Sequence, residues 1–447
     1  MKVYWMKSQL GKVKHMVFGS LLSIMGEAEI EELFSGFNQR ERQYTIMRVL
    51  QMYLNQVLNR MSCGHAVIWA INQRILQLPA SANNSCYSAA RSRLPEGPLM
   101  TFFRAVGAKV ESRAKAFDKF KGRDVKVVDG TSVQLLDTSE NQAEYPQPSG
   151  QKPGCGFPVM NVVAIMGLGA GVILEAVVGS LKENERTLFR KLWGSLAAGD
   201  LLLGDRGYGS YAEVAVLKSR GIDVVFRQRN DSLKKKDVIS KNGRNDWLIR
   251  WTRPGQLGDW ITRDELPGEI TVRAVRFRCA ARGFRSVEVI LFTTLLDFKK
   301  YSLVDLAELY HRRWEMELKL RDIKTVMGLE LIACKTPRRC RNHLLVGLTA
   351  YNLVRAVMLD AAKVGRIHMA RISFKTTLYF VCEFGDGKRS EADFEYEYVL
   401  LLKQLVRTKV PHRPGRHEPR ERKRRPKNEY KLQTKPRNPA LQEPLAA

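Results

Sequence analysis

A chain of 447 residues with 44% hydrophobic content can bury a large core and should hold more than one domain. Lysine and arginine outnumber aspartate and glutamate by 74 to 46, a net charge of +28, so the partner to expect is a polyanion and nucleic acid comes first. The seven cysteines (Cys63, Cys86, Cys155, Cys279, Cys334, Cys340 and Cys382) are scattered and include no Cys-x-x-Cys pair, which argues for reduced thiols and against a zinc site.

Residues 1–120 read as helices joined by short loops. Met16 to Met25 is apolar and follows several lysines, but Gly19 and two serines dilute it and Gly26-Glu27-Ala28-Glu29 is a poor cleavage region, so it reads as an ordinary helix. No stretch reaches the ~18 apolar residues of a membrane span. Tyr44 to Met61 and Ala66 to Leu78 carry helical periodicity, and the run from Pro79 to Ser85 breaks it. Ser85 to Pro95 then makes a short helix ending in Arg91 and Arg93, which are either DNA contacts or a solvated helix terminus.

Val125-Lys126-Val127-Val128-Asp129-Gly130 is a β-branched run ending on an acid and a glycine, and it reads as a strand that delivers Asp129 to its tip. An Asp-Gly turn is the plainer alternative. Asn161 to Met166 and Gly171 to Val178 form a hairpin, and Glu183 to Leu196 is a helix with Leu188, Leu192 and Leu196 on one face. Leu201-Leu202-Leu203-Gly204-Asp205 repeats the strand, acid and turn, followed by Arg206 and Gly207. Tyr211 to Lys218 is a helix and Val224 to Arg229 a strand.

From 231 to 297 the chain turns β-rich, with Lys234-Lys235-Lys236, several breakers, and strands over Ile270 to Phe277 and Ser286 to Thr294. Trp247, Trp251 and Trp260 alternate here with Arg244, Arg250 and Arg253, a mixture able to stack an unpaired base and hold its phosphate. Burial inside a small β domain is the other role open to these tryptophans.

A long helical pattern follows from Ser302 to Met327, with Leu306, Leu309, Met316, Leu320, Ile323 and Met327 on its buried face. At ~100° per residue, Tyr310, Arg313, Glu317 and Lys324 share a stripe roughly 60° wide. One carboxylate thus stands among a phenol, a guanidinium and an ammonium, a set suited to a hard metal ion and to phosphate oxygens. A charged solvent face would carry the same residues. Thr336-Pro337-Arg338-Arg339 reads as a basic turn, and Asn342 to Ala362 as an apolar helix closing the back of the sheet. From residue 411 to 447 the composition becomes proline, arginine and lysine, too polar to bury a core, so disorder with nonspecific attraction to DNA is expected.

The spacing of Tyr310, Arg313, Glu317 and Lys324 resembles the signature of the DDE transposases of the insertion-sequence-four family, matching it at every position. The resemblance covers roughly residues 80–360. It implies an α/β fold with an RNase H-like catalytic core in two parts (121–230 and 298–400), an all-β insertion domain (231–297) and a helical DNA-binding domain (1–120). The order strand, hairpin, helix, strand agrees with that core.

The same resemblance makes Asp129, Asp205 and Glu317 the catalytic acids, holding two Mg²⁺ ions, with Mn²⁺ as a substitute. It assigns Tyr310, Arg313, Lys324 and Arg206 to phosphates near the cleaved end, and Trp251, Arg91 and Arg93 to further DNA contacts. The implied activity is cleavage and strand transfer at terminal inverted repeats. Its partners are end and target DNA, bound as a dimer, in a bacterial cytoplasmic protein associated with the nucleoid and not with a membrane. An RNase H-fold nuclease without strand transfer and a noncatalytic DNA-binding relic are the alternatives.

Overall fold

The computed structural model describes residues 16–36, 43–77, 80–114, 119–229, 231–279, 287–383 and 391–411. The basic tail, apart from Pro411, lies outside the described residues. The N-terminal part is helical: α1 (Met16–Ile24), α2 (Glu27–Leu33), α3 (Ile46–Leu58), α4 (Cys63–Asn72), α5 (Ser85–Arg93) and α6 (Glu96–Glu111). Side-chain caps set two of the starts, because Thr45 accepts the Arg48 amide and Ser62 the His65 amide. Helix α3 is buried almost all round, from Met47 to Leu58 apart from Arg48, so it lies at the centre of the N-terminal helices.

The strands and helices that follow are β1 (Val125–Leu135), α7 (Ser139–Glu144), β2 (Val159–Gly167), β3 (Ile173–Ser180), α8 (Glu185–Lys191), β4 (Leu201–Gly204), α9 (Tyr211–Ser219) and β5 (Asp223–Gln228). Then come β6 (Val238–Gly243), β7 (Asp246–Thr252), β8 (Glu269–Cys279), β9 (Val287–Thr293), α10 (Leu303–His311), α11 (Trp314–Arg321), β10 (Leu331–Ile332), α12 (Pro337–Gly365), α13 (Phe374–Glu383) and α14 (Glu391–Arg407). Among the described residues the strands form one mixed sheet in the order β3-β2-β1-β4-β5-β9-β8-β7-β6, with β10 beside β1. Alternation divides the core between its two faces. Val125 and Val127 face the helices α6 and α12, and Val128 faces α8 and α9.

Three expectations from the sequence change here. Strand β1 does not stop at Asp129 but continues to Leu135, because its other edge stays paired with β2 as far as Gln134 opposite Val159. On the β4 side the register ends at Val127 opposite Leu203, and β10 resumes it only at Gln134, so Val128 to Val133 have no strand beside them on that edge. Asp129 is therefore at a local sheet opening rather than at a strand end. Second, the β-rich segment continues the core sheet, since β9 pairs with β5 through Val225 opposite Thr293. Third, Thr336 to Arg339 is not a free turn: Thr336 is the N-cap and Pro337 the first residue of α12.

Helix α12 is long and apolar enough by composition to cross a membrane, a feature a search for unbroken apolar runs misses, but 94% of the qualifying window is buried in the protein. It joins the two halves. Tyr53 of α3 meets His343 of α12, with Oη 3.2 Å from Nδ1. Burial, then the Arg91 charge, pushes the His343 imidazole down to about 3. The unfolded chain takes up this proton near pH 6.5 and the folded chain only near 3, so stability should be lost as pH falls through that window, by up to about 1.4 kcal/mol per unit. Replacing His343 by Gln should flatten that slope, which urea midpoints measured above and below pH 6 will read.

Candidate active site

The site forms where β4 ends. Gly204 is the last residue of that strand and leaves no room for a side chain, since a Cβ there would meet the Phe226 ring at 2.7 Å, and the chain then turns out through Asp205 and Arg206. Asp129 and Asp205 both project toward the face that packs α10 and α11.

The sequence predicts one helix from Ser302 to Met327, and the structure breaks it twice. Ser302 and Asp305 form a reciprocal capping box that starts α10, which ends at His311. At Arg312 and Arg313 the ladder tightens to i→i+3 bonds, Glu315 N to Arg312 O and Met316 N to Arg313 O, before α11 begins. After Arg321 the helix widens into a π turn over Asp322–Val326. The uniform spacing of 100° per residue therefore fails for Lys324, which sits in that turn.

The first break turns Tyr310 and Arg313 inward. Both are buried, each 4% exposed, whereas the Glu317 side chain is 56% exposed. Arg313 donates from Nη2 to Glu317 Oε1 at 3.0 Å and from Nη1 to Asp129 Oδ2 at 3.4 Å. The Tyr310 hydroxyl donates to Asp205 Oδ1 at 3.5 Å. Two residues of the signature thus connect three acids drawn from β1, the β4 turn and α11. The Asp129 carboxyl is pushed up to about 6, chiefly by burial; the Gly130 amide and Arg313 oppose the shift, and the Glu317 and Asp205 charges add to it. Burial likewise pushes the Tyr310 phenol up to about 12, so it remains a hydrogen-bond donor at neutral pH.

Arg206, next to Asp205 in the chain, is exposed, and Lys324, in the π turn after α11, is half-buried and makes no ion pair with a described residue. The sequence reading missed Arg227. It shares a face of β5 with Val225 and its charge reaches Tyr310, so the alternation of β5, placed beside β4, was the available signal. It also missed Glu185, whose carboxylate lies where a Gly130 side chain would be, 2.8 Å from that position, and accepts the Tyr208 hydroxyl at 3.4 Å. No sequence periodicity links α8 to β1.

Three expected DNA contacts lie elsewhere. The Arg91 guanidinium turns inward, donating to Gln56 Oε1 at 3.0 Å, Cys63 Sγ at 2.9 Å and Tyr53 Oη at 3.0 Å, and it lies over the Tyr53 ring. Its place at a helix end suggested exposure, and packing of α5 on α3 reversed it. Arg93, two residues on, is exposed. Trp251, half-buried, packs edge-to-face on Tyr211 of α9 and Phe292 of β9, against the core on that side of the sheet.

Three carboxylates from β1, the β4 turn and α11 supply hard oxygen donors and together carry more negative charge than the one guanidinium between them offsets, so the residues fit a divalent cation. Among the described residues, no three acids already stand at ligating separation. Arg313 holds an oxygen of both Asp129 and Glu317, and the exposure of Glu317 leaves it room to turn.

A model of the transposase DDE domain family matches residues 120–353, a span containing all three acids. The chain belongs to that family. It is a DDE transposase of the insertion-sequence-four type, and the chemistry of such domains depends on divalent metal. The transposase is 25% identical over 333 residues to transposase InsG for insertion sequence element IS4 of Escherichia coli K12, covering 72% of each chain. It is 24% identical over 174 residues to the putative transposase InsZ of the same organism, covering 35% of this chain and 58% of that one. A cryo-EM structure of the piggyBac transposase synaptic complex with hairpin DNA aligns with a TM-score of 0.44 at 8% identity, over 93% of this chain and 90% of that one.

Metal affinity should report the buried carboxyl. Because protons compete at Asp129, Mn²⁺ affinity measured by calorimetry should fall about tenfold per pH unit once pH drops below about 6. A pH-independent affinity from pH 7 to 5 would remove Asp129 from the ligand set.

Proposed function

We propose that this transposase binds the terminal inverted repeats of an insertion sequence and catalyses metal-dependent strand cleavage and strand transfer on an RNase H-like core. One observation carries the reading: Arg313 and Tyr310 gather Asp129, Asp205 and Glu317, which are 76 and 112 positions apart in sequence, at the open edge of one sheet. Residues 1–120 serve as the DNA-binding domain, residues 121–230 and 298–400 as the core, and residues 231–297 as the insertion. The complex with DNA is a dimer, working in the bacterial cytoplasm at the nucleoid.

Asp129, Asp205 and Glu317 would hold two Mg²⁺ ions, or Mn²⁺ in their place. A metal pair supplies an activated oxygen nucleophile and stabilises the leaving oxygen in phosphoryl transfer. The chain's own residues orient the strand. Arg206 next to Asp205, Arg227 within reach of Tyr310 and Lys324 in the turn after α11 would offer their charges to the phosphates on either side of the scissile bond. Arg313, once Glu317 turns away, presents two nitrogens suited to one phosphate. Tyr310 stays protonated and donates to Asp205, which fixes that carboxylate's orientation. Two successive attacks, by water and then by the freed 3′ hydroxyl, need no covalent bond to the protein.

Replacing Asp129 or Asp205 by Asn, or Glu317 by Gln, should abolish cleavage of a labelled transposon end and leave its binding within a few-fold, because an amide is a poorer ligand for a hard cation. Glu315, paired with Arg312 instead, is the control and should tolerate Gln. In a plasmid assay, joined products support the proposal, whereas cuts without joining would make the protein a nuclease. Removing the charge at Lys324 or Arg206 should weaken end binding and reduce its salt dependence by about one phosphate each, with sequence preference unchanged. A relaxed preference would mean base contact instead.

A further inference from the structure

The turn between β10 and α12 carries two thiols that the reaction does not use. Cys334 is half-buried, and Cys340, in the first turn of α12, is fully buried. The Cys340 sulfur lies 3.5 Å from the Cys334 carbonyl oxygen and 3.7 Å from Asn141 Oδ1, and the two thiols are close enough that each shifts the other's titration. Asn141 Nδ2 donates to the same Cys334 carbonyl at 2.9 Å and folds the turn back over the start of the helix. The Arg91 charge also reaches Cys334. A third thiol, Cys63, is engaged with Arg91 Nη1 at 2.9 Å.

This turn is the joint between the N-terminal helices and the sheet. Arg338 Nη2 and Asn342 Nδ2 both donate to the Leu94 carbonyl, at 3.2 and 2.9 Å, and Arg339 bonds the Ser92 hydroxyl. Arg341 Nε bonds both oxygens of Glu96. Four residues around Cys340 therefore hold the junction of α5 and α6.

We propose that Cys334 and Cys340 are a peroxide-sensitive dithiol, a modification site that closes to a disulfide and loosens the joint between α12 and the α5–α6 junction. Cys334 is the attacking sulfur. The Cys340 thiol, then Arg91 and Arg339, hold its thiol below the ordinary range against the opposing effect of burial, and the Cys334 thiol and burial push Cys340 up. The Cys334 thiolate attacks one oxygen of a hydroperoxide, the O–O bond breaks, and the departing oxygen takes a proton to leave as water or an alcohol. Cys334 becomes a sulfenic acid, oxidised by two electrons. Cys340 then attacks that sulfur, the S–S bond forms, the S–O bond breaks, and hydroxide leaves with the Cys340 proton as water. The negative sulfur facing Arg91 is lost, and the first turn of α12 is drawn toward β10.

The test uses the full chain, treated with hydrogen peroxide, alkylated without reduction and mapped by peptide mass. The expected product is a Cys334–Cys340 disulfide that dithiothreitol reverses, with amide hydrogen exchange over residues 91–96 severalfold faster in the oxidised protein. Cys340→Ser should accumulate a sulfenic acid at Cys334 that dimedone captures, and Cys334→Ser should leave Cys340 unmodified. A disulfide between Cys63 and Cys334 would overturn the assignment, as would a Cys334 that neither cross-links nor reacts. Unchanged exchange over residues 91–96 in the cross-linked protein would overturn its effect on the joint.

Discussion

A buried guanidinium that holds two carboxylates is the interaction on which the candidate site depends. Arg313 is 4% exposed, so its charge has lost most of its water, and it can stay there only with anionic partners. Asp129 and Glu317 supply them, and Nε is left without a partner. This is a set of contacts that attracts a cation. Each carboxylate oxygen bound to Arg313 is one that a metal can take, and Glu317 is exposed enough to change partners. Holding the acids together through an arginine keeps their mutual repulsion down until the metal and the phosphates arrive.

That arrangement requires an opening in the sheet, and the strand lengths create it. Strand β4 has four residues and stops where Gly204 meets Phe226, and β10 has two and rejoins β1 only at its far end. Between them Asp129 and its neighbours lack a strand on one side, which is where the break after His311 brings Arg313. The other elements hold that geometry fixed. Arg273 of β8, fully buried, makes a bidentate pair with Asp246 at 2.8 and 2.6 Å and donates to the Tyr301 carbonyl, immediately before the α10 cap. Strand β8 thereby anchors the start of the segment that delivers Glu317.

On the opposite side, α12 fixes the core to the N-terminal helices. Its Arg355 donates twice to the Ala170 carbonyl of the β2–β3 turn, while Glu111 of α6 accepts the amides of Gly169 and Ala170. Arg355 is buried and Glu111 half-buried, and each satisfies backbone groups of the turn, which is thus clamped between helices from the two parts of the chain. Movement of α12 is therefore felt at the hairpin and at the α5–α6 junction together.

The residue pattern supplied the strands that lead to Asp129 and Asp205 and the spacing around Glu317, to which the family resemblance gave a meaning, and most of the elements through β5, because these rest on local chemistry: β-branched runs, acid-glycine exits and a spacing of three and four; the short helix α7 was missed. It also supplied the polyanion partner, which follows from charge. What it could not supply was anything set by contact between distant segments. The length of β1 was decided by β2, the inward turn of Arg91 by Tyr53 and Gln56, and the packing of Trp251 by Tyr211 and Phe292. The break in the signature helix and the π turn at Lys324 were decided by packing as well, since a helical wheel assumes one unbroken ladder. Sequence thus named the candidate groups, and tertiary structure decided which way each one faces, because a side chain's direction depends on neighbours from 35 to 184 positions away that no local period encodes.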